Sequence, residues 1–220
     1  PRQRVADTTD APVSGARVVA LSTSSPEITA PVVELVPPGR WTIDPDHSTV
    51  GFVVQHLGIT RLRGRFAGVN GSFAVADGVV SGTATVSANS FSTGSDARDN
   101  HVKGPDFLHA EAYPRIAFEV EAVRSGSGDF VVDGTLSLHG ETREIAFNAV
   151  SGGLAKDPYG HDRVGISMTA RIMRSDYGIR FDPTGALVSD AVDLEVDLSL
   201  VRQPAYLRDA ERRHEDITHG

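Results

Sequence analysis

The 220-residue chain has no cysteine, one tryptophan and two methionines. Without thiols it builds no disulfide framework and no thiolate metal site, and it has no thiol nucleophile. No apolar run approaches the ~18 residues of a membrane-spanning helix, and no hydrophobic leader follows the first residue. Basic residues are scarce: 21 Lys and Arg against 29 Asp and Glu give a formal charge of −8 and a pI near 5.4. Nucleic-acid binding, whose affinity rests on clustered cations, is set aside. The lack of cysteine favours a cytoplasmic protein. Because the chain starts at Pro1, an exported protein with its leader removed is the alternative.

What the chain has in quantity is a two-residue hydrophobic period. It is clearest over 191–200, where Val192, Leu194, Val196, Leu198 and Leu200 alternate with Asp193, Glu195, Asp197 and Ser199, the pattern of a strand with one dry face. The same alternation recurs over 80–88, 115–121, 130–139 and 164–172. With 41–57, 61–75 and 144–154 this makes eight candidate strands. Turn signals at hairpin spacing, such as Ala76-Asp77-Gly78 and His139-Gly140, make consecutive strands antiparallel.

The predicted fold is therefore all-β, an eight-stranded antiparallel barrel, since closure removes exposed edges and leaves an interior that can hold one small ligand. A two-sheet sandwich is the competing architecture. One interruption, 97–110, reads as a short helical insert capped by Asp96 and broken by Gly104 and Pro105, placed as a lid or plug at the barrel mouth. Residues 1–40, punctuated by Pro and Ser, read as an extension or linker with at most one strand, within 7–22. Residues 41–201 form the barrel, and 202–220 a C-terminal tail with a short helix.

The stretch 41–57, WTIDPDHSTVGFVVQHL, puts Ser48, Val50, Phe52, Val54 and His56 on one strand face. It also opens a series of short motifs. W-x-I-D-x-x-H-S-x-V-x-F (41–52) is followed by His56, G-R-F (64–66), T-x(4)-R-D-x-H (93–101) and D-F-L (106–108). Y-P-x-I-x-F (113–118), G-x-L-x-L-H-G (134–140) and R-x-D-Y-G-I (174–179) complete it. Each is weak alone, but in this order they resemble the YceI-like family of lipocalin-like, polyisoprenoid-binding proteins. The resemblance implies an extended up-and-down barrel whose central tunnel holds an amphiphile with a long tail: a polyprenyl phosphate, an isoprenoid quinone or a fatty-acid derivative. It also implies a homodimer.

The residues themselves favour binding over catalysis. About ten buried tail carbons at ~0.8 kcal/mol each would supply on the order of 8 kcal/mol before association costs. The candidate wall is Val50, Phe52, Val54, Phe66, Val86, Phe118, Leu136, Phe147, Ile166 and Met168, joined by Phe107 from the insert. The competing reading of each is simple core filling, which would make the protein a structural or interaction barrel. His47 and Ser48, beside Asp44, are candidates for a head group or for closing a strand end by backbone hydrogen bonds. Arg98, Asp99 and His101 on the insert, with Arg174, supply charges suited to a phosphate or quinone carbonyl. An Arg–Asp ion pair pinning the insert is the alternative. His56 is a ligand contact or a satisfied buried histidine. His47, His56, Asp99 and His101 could also form a hydrolytic or metal-binding set, yet no local motif supports it. The expectation is a non-enzyme without catalytic cofactor, holding a bound isoprenoid or acyl lipid.

Overall fold

The structure, a computed structural model, describes residues 36–124, 126, 129–182 and 187–204. The strand expected within 7–22 and the C-terminal helix lie outside these residues. Ten strands follow one another: β1 (Gly39–Ile43), β2 (Thr49–His56), β3 (Thr60–Phe66), β4 (Asn70–Ala76), β5 (Val79–Ser87), β6 (Arg115–Arg124), β7 (Phe130–Leu138), β8 (Glu141–Lys156), β9 (Asp162–Met173) and β10 (Ala191–Arg202).

These ten strands occupy eight positions around a closed antiparallel barrel. β10 bonds to β2 through 193–197 and to β1 through 200–202, so β1 and β2 are two halves of one stave. β3 pairs with β2 and β4 with β1, which makes β3 and β4 the next stave. From β4 to β10 every strand pairs with its successor, giving an up-and-down order.

The unbroken strands expected over 41–57 and 61–75 are thus corrected. Pro45 has no N–H for a ladder, and Asp44 Oδ1 accepts the Asp46 N–H at 3.1 Å, opening a 3₁₀ turn over Pro45–His47. In the second stave the break falls at 67–69, where Gly68 has φ 65°. Because β4 alone pairs with β5, the far edge of β3 has no strand partner among the described residues and bonds instead to Ser92, through a bridge to Arg65.

β10 keeps the inward row Val192, Leu194, Val196, Leu198 and Leu200 and turns its acidic residues outward, where Arg171 Nε donates to Asp193 at 2.6 Å. One end of the barrel is closed around Trp41, fully buried, whose indole N–H donates to the Pro37 carbonyl at 3.0 Å. At the other end sits α1 (Asp96–Lys103), with Gly104 as its C-cap. Its N-cap is Ser95, not Asp96 as expected; Asp96 is in the first turn, where a carboxylate suits the helix dipole.

Candidate ligand-binding cavity

The barrel interior is not filled by its own side chains. A cavity of about 390 Å³ runs from Trp41 and Leu200 at the closed end to His101, Arg174 and Val188 beside α1. The β10 wall from Val192 to Leu200 alone extends roughly 27 Å along the strand. Apart from the Trp41 indole, the only polar side chains lining it among the described residues are His56, Thr85, Thr93, Arg98, His101 and Arg174. His101 lines the cavity and is itself exposed, so the cavity reaches the surface at this mouth.

The polar rim is built by two short segments. Arg98 projects from α1 and donates from Nε to Thr93 Oγ1 at 2.7 Å and from Nη2 to the Thr93 carbonyl at 3.3 Å. Thr93 in turn donates to Asp99 Oδ1 from its backbone N–H at 2.9 Å and from its hydroxyl at 2.5 Å. The Thr93 hydroxyl holds the Asp99 carboxyl below the usual carboxylate range. Arg174 opens a 3₁₀ turn (Arg174–Tyr177) that exits through Gly178 at φ 74°. Its guanidinium is buried, and it donates to the carbonyls of Ile179 at 2.8 Å, Ser189 at 3.2 Å and Val188 at 3.3 Å. Among the described residues no carboxylate forms an ion pair with Arg98 or Arg174. A buried cation with only neutral partners is costly, and such a site is suited to an anion.

Aromatic rings line the wall below. Phe52 stacks on Phe91 at 5.1 Å between centroids, and Phe66 approaches both. Across the mouth, His101, Phe107 and Phe181 form a triangle of rings 5.2 to 5.4 Å apart, and His101 Nε2 lies 3.3 Å from Asp106.

The family model of the YceI-like domain matches residues 41–200, the span of this barrel. The chain belongs to the YceI-like family. A UPF0312 protein of Vibrio cholerae serotype O1 is 33% identical over 161 residues, 71% of this chain and 83% of that protein. One from Shewanella putrefaciens is 34% identical over 155 residues, 69% of this chain and 81% of its own. Among solved structures, the Campylobacter jejuni YceI protein is similar at TM-score 0.60 and 26% identity, covering 68% of this chain and 90% of that one. A polyisoprenoid-binding domain from Saccharophagus degradans, 16% identical, shares the fold at TM-score 0.53, with 74% of this chain and 98% of that one covered.

Within this YceI-like barrel most of the candidate site residues come together. Val50, Phe52, Val54 and His56 of β2 line the cavity with Phe66 of β3, Val86 of β5 and Phe118 of β6. Leu136, Phe147, Ile166 and Met168 complete the wall, and Arg98, His101, Phe107 and Arg174 the mouth. Three candidates stand outside the lining. His47 is exposed and its Nδ1 lies 2.9 Å from Asp44 Oδ2, because the 3₁₀ turn at Pro45 swings it off the inner face. Ser48 accepts the Ser199 backbone N–H at 3.0 Å, closing a gap in the ladder. Asp99 is turned into the insert by Thr93. Among the described residues neither Arg98 with Asp176 nor Arg174 with Asp99 forms an ion pair across to the rim; Arg98 and Asp99 instead both bond Thr93.

Among the described residues no group of three or more His, Asp or Glu is arranged to hold a metal ion, and His47 is removed from His56 and His101. The sequence reading misses Phe91, Thr93, Leu108, Leu187 and Val188, all of which line the cavity. Phe91 had a readable signal, a lone aromatic in the polar run 87–96. Leu187 and Val188 follow no period and enter the lining only because Val188 bridges His56.

Proposed function

We propose that this protein is a non-catalytic binder and carrier of a long-chain amphiphile, with the tail in the barrel cavity and an anionic head group at Arg98 and Arg174. The observation that carries this reading is a long apolar cavity that ends at two guanidiniums which, among the described residues, form no ion pair with a carboxylate. Tail burial at ~0.8 kcal/mol per CH₂ must outweigh an association cost of roughly 4–15 kcal/mol, which selects a long tail. A charged head is favoured over a quinone carbonyl because a phosphate or carboxylate neutralises the buried Arg174, whereas a carbonyl only adds a fourth neutral acceptor. Polyprenyl phosphates and fatty acids both meet these terms. The C. jejuni and S. degradans neighbours support a shared barrel, and the latter's description as polyisoprenoid-binding agrees with the tail chemistry.

The test is native mass spectrometry of gently purified protein, followed by lipid identification after denaturation. A bound anionic lipid is expected, and a bare protein mass would refute the reading. Phe118, edge-on to Phe147 at 5.3 Å in the middle of the wall, gives the paired variant. Phe118→Asp should fold but lose its lipid, since a carboxylate in the path of the tail is expensive to desolvate. If the interior behaved as a packed core, the same change would instead lower stability by several kcal/mol.

A further inference from the structure

The β2–β3 turn stands at the cavity mouth. His56, which lines the cavity, bridges Val188, and the Leu57 N–H donates to the Leu187 carbonyl at 3.1 Å. The two turn residues, Leu57 and Gly58, have φ of 54° and 70°, a pair of left-handed conformations in which hairpins prefer Asn-Gly. Here the first position carries a leucine that is 50% exposed, and the next residue, Ile59, is 81% exposed. Met173, 40% exposed, ends β9 opposite Ala191 at the same end of the barrel. Large apolar side chains left in water beside a cavity mouth mark a contact surface.

The strand that leaves the turn indicates what that contact is. β3 places Arg61, Arg63 and Arg65 on its outer face, all exposed. Among the described residues none of the three has an ion-pair or hydrogen-bond partner through its side chain. Facing carboxylates come from β10, across β2. Asp193, in register with Val53 opposite Arg63, is hydrogen-bonded to Arg171 and attracts Arg61 only through space, and Glu195 is opposite Gly51, the partner of Arg65. In a chain of net charge −8, cations with no hydrogen-bonded carboxylate are thus concentrated beside the exposed turn. Arg61 is two residues beyond Ile59 and Arg63 four, roughly 7 and 14 Å along the strand. Side chains entering ~5–10 Å below the head groups therefore bring both guanidiniums to the level of lipid phosphates.

We propose that the β2–β3 tip docks on an anionic lipid bilayer, with Leu57 and Ile59 inserted and Arg61 and Arg63 on phosphates. Docking sets the cavity mouth against the membrane, so that a tail passes between bilayer and barrel without crossing water. This use of the contact rests on the carrier reading; the contact itself does not.

Co-sedimentation of the full chain with vesicles tests it, comparing phosphatidylcholine alone with an equal mixture of phosphatidylcholine and phosphatidylglycerol. The wild type should sediment with the mixed vesicles, far less with the neutral ones, and progressively less as salt is raised. Arg61→Gln and Arg63→Gln should each weaken partition by about fivefold, and Ile59→Ser by about tenfold or more. Wild type that ignores mixed vesicles, or variants that bind them as well as wild type, would overturn the proposal. So would a fall in solution mass on Ile59→Ser, which would assign the tip to self-association. Lipid content of the same preparations separates the two readings. Vesicle binding by a wild type with no bound lipid sinks the carrier reading and leaves the docking surface standing; bound lipid without vesicle binding does the reverse.

Discussion

At the scale of single residues, Thr93 links the two charges of the insert. It accepts from Arg98 and donates twice to Asp99, so Asp99 fixes Thr93 and Thr93 fixes the Arg98 guanidinium at the mouth. Asp99→Ala leaves the Thr93 N–H and hydroxyl without their acceptor and should loosen both. Hydrogen exchange over Asp96–Lys103 should accelerate and retained lipid should fall. Wild-type protection in that segment would show that Asp99 has no part in holding it. The motif T-x(4)-R-D-x-H makes these residues conspicuous in the sequence, but their division of labour is not written there. Both a head-group site and an Arg–Asp pair use the same letters, and only the direction in which Asp99 points separates them. His139, in the sequence only part of a turn signal, likewise gains a side-chain role only in three dimensions, with Nδ1 3.0 Å from the Tyr177 carbonyl.

At the scale of elements, the join between β2, β3 and the segment leading to α1 depends on a close approach at Gly64. A Cβ there would collide with the Phe52 ring, with Cε1 at 2.6 Å, and with the Ser92 carbonyl at 2.9 Å. Phe52 lies over the glycine and stacks on Phe91, so the stave edge of β3, which lacks a full ladder, is sealed by aromatic packing. Gly64→Ala should destabilise the barrel by about 1–3 kcal/mol, lowering Tm by roughly 2–12 °C. Gly165→Ala, whose new methyl would meet only Gly152 Cα at 3.6 Å, should stay within about 0.5 kcal/mol of wild type. Equal melting temperatures for the two variants would refute the sealing role. The strand period of 191–200 was fully readable because every odd position from Asp193 to Ser199 is polar or charged, whereas the breaks in the first two staves lie inside stretches that otherwise read as continuous strand. Pro45 and Gly68 were the local signals, and both are strong ones.

At the scale of the whole molecule, carboxylates clamp the barrel where strands meet. Arg163 bonds Asp44 at 2.6 Å, Asp157 at 3.0 Å and the Ser199 hydroxyl at 3.2 Å, tying the β1–β2 connection, the β8–β9 turn and β10 together. The Arg163 guanidinium holds the Asp44 carboxyl below its usual range. At Asp157 burial acts to raise the value, but hydrogen bonds from the His161 N–H and Arg163 overcome it and leave it lowered. Lys156 lowers Asp162 and Arg171 lowers Asp193. Each group therefore takes up protons more readily in the unfolded chain than in the folded one. The stability they contribute is present above the unfolded value of about 4 and drains away as pH falls below it. Denaturant midpoints measured from pH 7 to pH 3 should drop, and Arg163→Gln should flatten the drop by freeing two of the carboxylates. A midpoint that does not move with acid, or an unchanged slope in the variant, would contradict this.

What the sequence by itself determined is the local chemistry: alternation selects strands, hairpin turns make them antiparallel, and the ordered motifs select a YceI-like barrel. Tertiary structure alone decided that the interior stays open, because whether ten large apolar side chains fill a barrel or line it depends on how far apart the staves stand, a distance no local pattern encodes. It also decided which polar residues face that space. Pro45 turned His47 and Ser48 away, Thr93 turned Asp99 away, and Arg98 and Arg174, far apart in the sequence and in no local pattern, were left at one mouth by ring closure.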